Sequence, residues 1–195
     1  MYKNIVFDLG GVVLGRDFNR FDEIVGDHFS FFRQDKFPDY WHDFDRGTRT
    51  KQEVAEALAA DANVSIEEAN GLIDKVLELL SEVPETCDLV RRLKEAGCRC
   101  YILSNMPKEY WAEIEKFPVA KYFDGAVISS HEHLLKPERA IYERLLDRYD
   151  LNPAETLFTD DKKTNLLAAE ELGINTIHFA NPDTTPEEIY RLATE

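Results

Sequence analysis

The chain has 195 residues, 44% of them apolar, and a formal net charge of −15 from 38 acidic and 23 basic side chains. That length accommodates one domain, or one domain carrying a smaller insertion, and the composition excludes a disordered chain. The anionic field disfavours nucleic acid and anionic lipid as partners, and no apolar run is long enough to span a bilayer.

The first element is Asn4-Ile5-Val6-Phe7, an apolar run that delivers Asp8 onto a turn containing Gly10 and Gly11. Buried strands of parallel sheets read this way, and their ligands bind beyond the carboxyl ends of the strands. Asp8 and the glycines also interrupt any signal-peptide pattern, so a cytoplasmic protein is expected. After Leu14 the period changes to helical, with Phe18, Phe21, Ile24 and Val25, then an aromatic-rich stretch from Phe29 to Trp41. Thr50 with Glu53 and Ser65 with Glu68 have the form of capping boxes opening two amphipathic helices. Residues 16 to 83 are expected to be helical, with no strand.

From Val83-Pro84 onward, strands and helices alternate. Helices are expected over 85–96, 107–117, 137–149, 164–172 and 186–193, and strands over 98–103, 126–129, 156–159 and 174–179. Gly97 and Gly173 stand where helix ends need them. This alternation implies a parallel sheet with right-handed crossovers. The expected architecture is an α/β, Rossmann-like core formed by 1–15 and 84–195, interrupted by a helical cap over 16–83. The cysteines, Cys87, Cys98 and Cys100, show no zinc-like spacing. Cys98 and Cys100 would share one strand face, so packing roles in a reducing compartment are expected.

Four stretches place polar groups at strand ends: Asp8 with Gly10 and Gly11, Ser104-Asn105, Lys136-Pro137, and Asp160-Asp161 with Asn165. Taken singly, most have bland readings as caps, loop starts or solvated charges. A parallel sheet, however, brings them to one edge. Three carboxylates and a lysine in one crevice suit a divalent cation, and oxygen-only ligands point to Mg²⁺ rather than zinc. Mg²⁺ and Lys136 would offset the anionic field and hold a phosphoryl group, with Ser104 and backbone N–H groups donating to it.

These four stretches resemble the four motifs of the haloacid dehalogenase (HAD) superfamily, mostly phosphatases that work through an aspartyl-phosphate. The match covers essentially the whole expected core. Leu-Lys-Pro-Glu-Arg-Ala-Ile-Tyr and Phe-Thr-Asp-Asp, with Asp-Leu-Gly, look most like the branch containing sugar-1-phosphate phosphatases. The resemblance implies that Asp8 attacks phosphorus and binds Mg²⁺, with the Gly10 carbonyl and Asp161 as further ligands. Asp160 would be another ligand or would hold a bound water. Ser104 and the backbone at Asn105 and Gly11 would bind phosphoryl oxygens, and Lys136 would neutralise Asp8 and the phosphoryl group. The implied partner is a small phosphorylated metabolite such as a sugar phosphate.

One position departs from the pattern. Many phosphatases of this superfamily carry an acid–base Asp two residues after the nucleophile, where this chain has Gly10. Asp17 is a candidate substitute, against a plain reading as a helix N-cap. For substrate contacts the helical segment offers Arg16, Arg20, Arg46, Arg49, Phe31, Phe32, Tyr40 and Trp41, and Lys108 lies beyond it. The competing functions are a metal-independent haloacid dehalogenase and a catalytically weak ligand-binding or regulatory protein.

Overall fold

The computed structural model describes residues 2–34 and 36–195. Met1 and Asp35, which fall in the expected core and helical ranges, lie outside the described residues. The strands among these are β1 (Asn4–Phe7), β2 (Leu14–Arg16), β3 (Leu80–Glu82), β4 (Arg99–Ser104), β5 (Gly125–Ile128), β6 (Thr156–Asp160) and β7 (Asn175–His178). Five of them form a parallel sheet in the order β5-β4-β1-β6-β7. Wholly buried, β1 sits at the centre, which is why it reads as an unbroken apolar run.

Alternation along the strands sorts side chains onto two faces. Ile5, Phe7, Cys100 and Ile102 join a cluster with Leu89, Val90, Leu93 and Ile189. Val6, Tyr101 and Leu103 join a second cluster with Ile141, Tyr142, Leu145 and Leu166. Helices therefore cover both faces, the α/β Rossmann-like arrangement expected. Between β2 and β3 lie α1 (Phe18–Val25), α2 (Phe31–Gln34), α3 (Asp39–Arg46), α4 (Lys51–Ala62) and α5 (Ile66–Glu78). The remaining helices are α6 (Pro84–Glu95), α7 (Lys108–Ile114), α8 (Ser129–Glu132), α9 (Arg139–Tyr149), α10 (Lys163–Glu170) and α11 (Thr185–Thr194).

From β1 the chain builds β4 and β5 outward on one side, then returns to build β6 and β7 on the other. The strand order thus reverses about β1, and the crevice outside the carboxyl ends of β1, β4 and β6 is the site such sheets use.

The segment expected to be free of strand is not. β2 and β3 pair antiparallel, Leu14 opposite Glu82 and Arg16 opposite Leu80, so that β2 crosses the expected start of the helical segment and β3 lies just inside its expected end. Three-residue strands carry too few residues to show a period, so pattern reading missed them. Thr50 and Glu53 form the full capping box of α4, while Ser65 caps α5 by accepting from Glu68 N at 3.1 Å. The helix expected from Pro107 to Phe117 stops at Ile114, and a 3₁₀ turn over Pro118–Tyr122 follows. Pro137 precedes its helix, which begins at Arg139. All three cysteines are free thiols, with Cys98 and Cys100 buried in the same cluster.

Candidate active site

Asp8 follows β1 directly, its backbone N–H donating to the Thr159 carbonyl at 3.0 Å. Its Oδ1 accepts from Leu9 N at 2.7 Å and lies 2.8 Å from Lys136 Nζ. Lys136 Nζ also reaches Asp160 Oδ2 at 2.7 Å, so one buried ammonium bridges two buried carboxylates. Burial raises the Asp8 carboxyl above its usual range, Lys136 opposes this, and the Asp160 charge adds to it. For Lys136, burial pulls the ammonium down, but Asp160 and Asp8 more than compensate and leave it raised.

Asp160 is saturated. Its Oδ1 accepts from Lys162 N at 2.8 Å, and Asn165 Nδ2 lies 3.0 Å from both of its oxygens. A carboxylate so occupied fixes Lys136 and has little capacity left for another ligand. Asp161 differs: it is exposed, and its pKa is pushed to about 7 by desolvation and by the charges of Asp8 and Asp160. Gly11 is required beside it, because φ is +79° and a Cβ there would come 2.6 Å from Asp161 Oδ2. Ligand oxygens of Asp8, Asp160 and Asp161 lie within 4.8 Å of one another. Mutually repelling carboxylates at that spacing, in a wholly oxygen donor set, fit a hard divalent cation.

Asn105 closes the arrangement from β4. Its Oδ1 accepts from Lys136 N at 2.8 Å and its Nδ2 donates to the Lys136 carbonyl at 2.9 Å. This reciprocal pair locks the lysine backbone against the end of the strand.

A cavity of about 880 Å³ opens over these groups. Asp8, Gly10, Gly11, Asn105, Lys136 and Asp161 line it, whereas Ser104 and Asp160 are buried outside its lining. Of the proposed substrate contacts, Arg16, Phe32 and Trp41 line it, and Arg20, Phe31, Tyr40, Arg46, Arg49 and Lys108 do not. Arg46 pairs with Glu138 and Arg49 with Asp43. Asp17 is the N-cap of α1, accepting from Asn19 N at 2.9 Å, and lies outside the lining, so the plain reading of it holds.

Sequence reading missed Asp45, Phe37, His42 and Lys162, which also line the cavity. Asp45 sits in the last turn of α3, where the helix dipole disfavours a carboxylate. That misplaced charge was the available signal. Its pKa is raised to about 7 by burial, against the pull of Lys162 and Arg16, with Asp8 adding to the rise.

Residues 2–173 match the family model for haloacid dehalogenase-like hydrolases. The chain belongs to that family and is a hydrolase. It is 26% identical over 194 residues to a sesquiterpene phosphatase, astK, of Aspergillus oryzae, covering 98% of this chain and 96% of that protein. It is 28% identical over 126 residues to (S)-2-haloacid dehalogenase 4A of Burkholderia cepacia, covering 63% of this chain and 54% of the relative. Among solved structures, a HAD family enzyme of Bacteroides thetaiotaomicron in complex with magnesium and inorganic phosphate superposes with a TM-score of 0.74 at 25% identity, covering 91% and 94% of the two chains. The HAD-like assignment from four strand-end motifs is therefore correct. No described helix is long and apolar enough to cross a membrane.

Proposed function

We propose that this HAD-like hydrolase is a Mg²⁺-dependent phosphatase of a small phosphorylated metabolite, working through an aspartyl-phosphate on Asp8. The observation that carries the reading is the cluster itself, a buried carboxylate held by Lys136 beside Asp161 at the mouth of a cavity. Phosphatases among the relatives and the magnesium–phosphate complex of a structural neighbour support it.

In this reading Asp8 Oδ attacks phosphorus, and the bond to the leaving-group oxygen breaks in line. Lys136 neutralises charge that Asp8 and the phosphoryl oxygens would otherwise set against each other, and Asp160 and Asn165 hold it in place. Asn105 fixes the backbone that carries Lys136. Water then attacks the aspartyl-phosphate and restores Asp8. Asp8, the Gly10 carbonyl and Asp161 would hold Mg²⁺, which when bound supplies positive charge to the transferring phosphoryl group. The segment 16–83 is proposed to act as a cap over the crevice formed by the core, 1–15 with 84–195. Its aromatic wall, with Phe32, Phe37 and Trp41, suits the organic part of a monoester.

The test is a screen of phosphorylated metabolites with and without Mg²⁺, run in parallel on Asp8→Asn. Phosphate release that needs both Mg²⁺ and Asp8 is the expected result. Metal-independent halide release from a 2-haloacid would instead support the dehalogenase reading. Tight ligand binding without turnover would support a binding role.

A further inference from the structure

Position 10 could carry a side chain: a Cβ built on Gly10 meets nothing within 4 Å. Packing therefore does not exclude an acid–base side chain there; glycine has none, and another group lining the cavity would have to supply the proton. Among the described lining residues outside the Asp8 cluster, few groups could carry it. His178 Nε2 is engaged with the Asp161 carbonyl at 2.9 Å. Tyr110 donates to the Ile73 carbonyl at 2.6 Å, and burial raises its pKa well above the ordinary value. His42 is exposed. Asp45 remains.

The structure fixes Asp45 in place by contacts on both sides of it. Its own carbonyl accepts from Ser129 Oγ, which also accepts from Met106 N at 2.8 Å, next to Asn105. The following residue, Arg46, bonds the His133 carbonyl and Glu138, on either side of the Lys136 turn. Gly47 then lies so close to α8 that a Cβ there would clash with the Ser130 carbonyl oxygen. The last turn of α3 is thus pinned to the two loops that carry Asn105 and Lys136. The Asp45 carboxylate itself makes no hydrogen bond or ion pair with the described residues. It lines the cavity with Arg16 of β2 and Lys162 before α10, and the Asp8 charge adds to the rise of its pKa.

We propose that Asp45 is the acid–base residue of this site, taking the part that position 10 leaves open. Resting on the phosphatase reading, it adds the source of the proton. In the first step the P–O bond to the leaving group breaks, and the Asp45 proton passes to the departing oxygen, giving the free alcohol. In the second the Asp45 carboxylate takes a proton from water as the water oxygen bonds to phosphorus. The aspartyl P–O bond breaks, and inorganic phosphate and the Asp8 carboxylate result. The pKa near 7 suits both halves of this cycle.

The experiment compares p-nitrophenyl phosphate with p-nitrobenzyl phosphate, two probes of nearly the same shape, in the full chain with Mg²⁺. Nitrophenoxide departs without a proton, whereas a benzyl alkoxide needs one. Asp45→Asn should lose about 10²–10⁴-fold in kcat on the benzyl ester and less than about tenfold on the phenyl ester. Gly10→Asp in the Asp45→Asn background should recover benzyl-ester turnover. Asp45→Ala, read in the same assays, serves if the amide variant does not fold. Equal loss on both esters, or loss on neither, overturns the proposal while leaving the Asp8 reading intact. Turnover of neither ester by the wild-type protein, or undiminished turnover by Asp8→Asn, overturns both.

Discussion

The two walls of the cavity are built on opposite principles. At the sheet edge Asp8, Lys136, Asp160 and Asn165 are buried and joined by short hydrogen bonds and ion pairs, with every Asp160 oxygen occupied. On the facing wall the Arg16 and Asp45 side chains make no hydrogen bond or ion pair with described residues. Arg16 Nε is buried without a partner, and its guanidinium carbon stacks 4.4 Å from the centre of the Phe32 ring. Burial lowers the Arg16 pKa to about 10. Saturated groups are preorganised and cost nothing to arrange during reaction. Groups with unused hydrogen-bonding capacity are those a substrate can satisfy, so the first wall is suited to chemistry and the second to recognition and proton transfer.

Breaking the first wall should have the largest effect. Lys136→Met leaves two buried carboxylates without their cation, and breaking such a pair costs about 3–5 kcal/mol. The expected outcome is a loss of that order in denaturant titration and the disappearance of turnover. Adding Asp160→Asn should recover part of the stability but none of the activity. A stable, active Lys136→Met protein would show that the saturated wall is not what organises the site.

The seam between the walls comes next. Gly47 has φ +74° and approaches the Ser130 backbone closely, so Gly47→Ala should cost about 1–3 kcal/mol and loosen the pinned turn of α3. Turnover of p-nitrobenzyl phosphate should fall more than that of p-nitrophenyl phosphate. On the second wall, Phe32→Ala should raise KM for an aryl phosphate by about tenfold with kcat nearly unchanged, the pattern of lost uniform binding.

The smallest effect concerns pH. With its pKa raised from 3.8 to about 7, folded Asp45 holds a proton that the unfolded chain releases. Stability contributed by this group is therefore full below about pH 4 and declines as pH rises toward 7. Metal-free Asp45→Asn should show a shallower decline across that window than the wild-type protein.

The difference between the walls also explains what could be read from the sequence. β1 and Asp8 were legible because burial on both faces forces an apolar run, against which one carboxylate stands out. Asn105, Lys136 and Asp161 followed because parallel strands end on one edge, whatever their separation along the chain. Ser104 was expected to face the phosphoryl group, yet it lies outside the cavity lining, since strand ends do not reveal where the next turn points. Asp45 was hidden among surface-like charges in His-Asp-Phe-Asp-Arg, because nothing local says that α3 docks on α8. The β2–β3 ribbon was missed because its pairing joins residues more than sixty positions apart in strands too short for a period.

Rapid-quench mass spectrometry of the wild-type protein turning over p-nitrophenyl phosphate with Mg²⁺ tests the account most directly. A phosphoryl group on the peptide carrying Asp8, absent in Asp8→Asn, is the predicted result. Turnover with no adduct on Asp8, or turnover that survives Asp8→Asn, would contradict it.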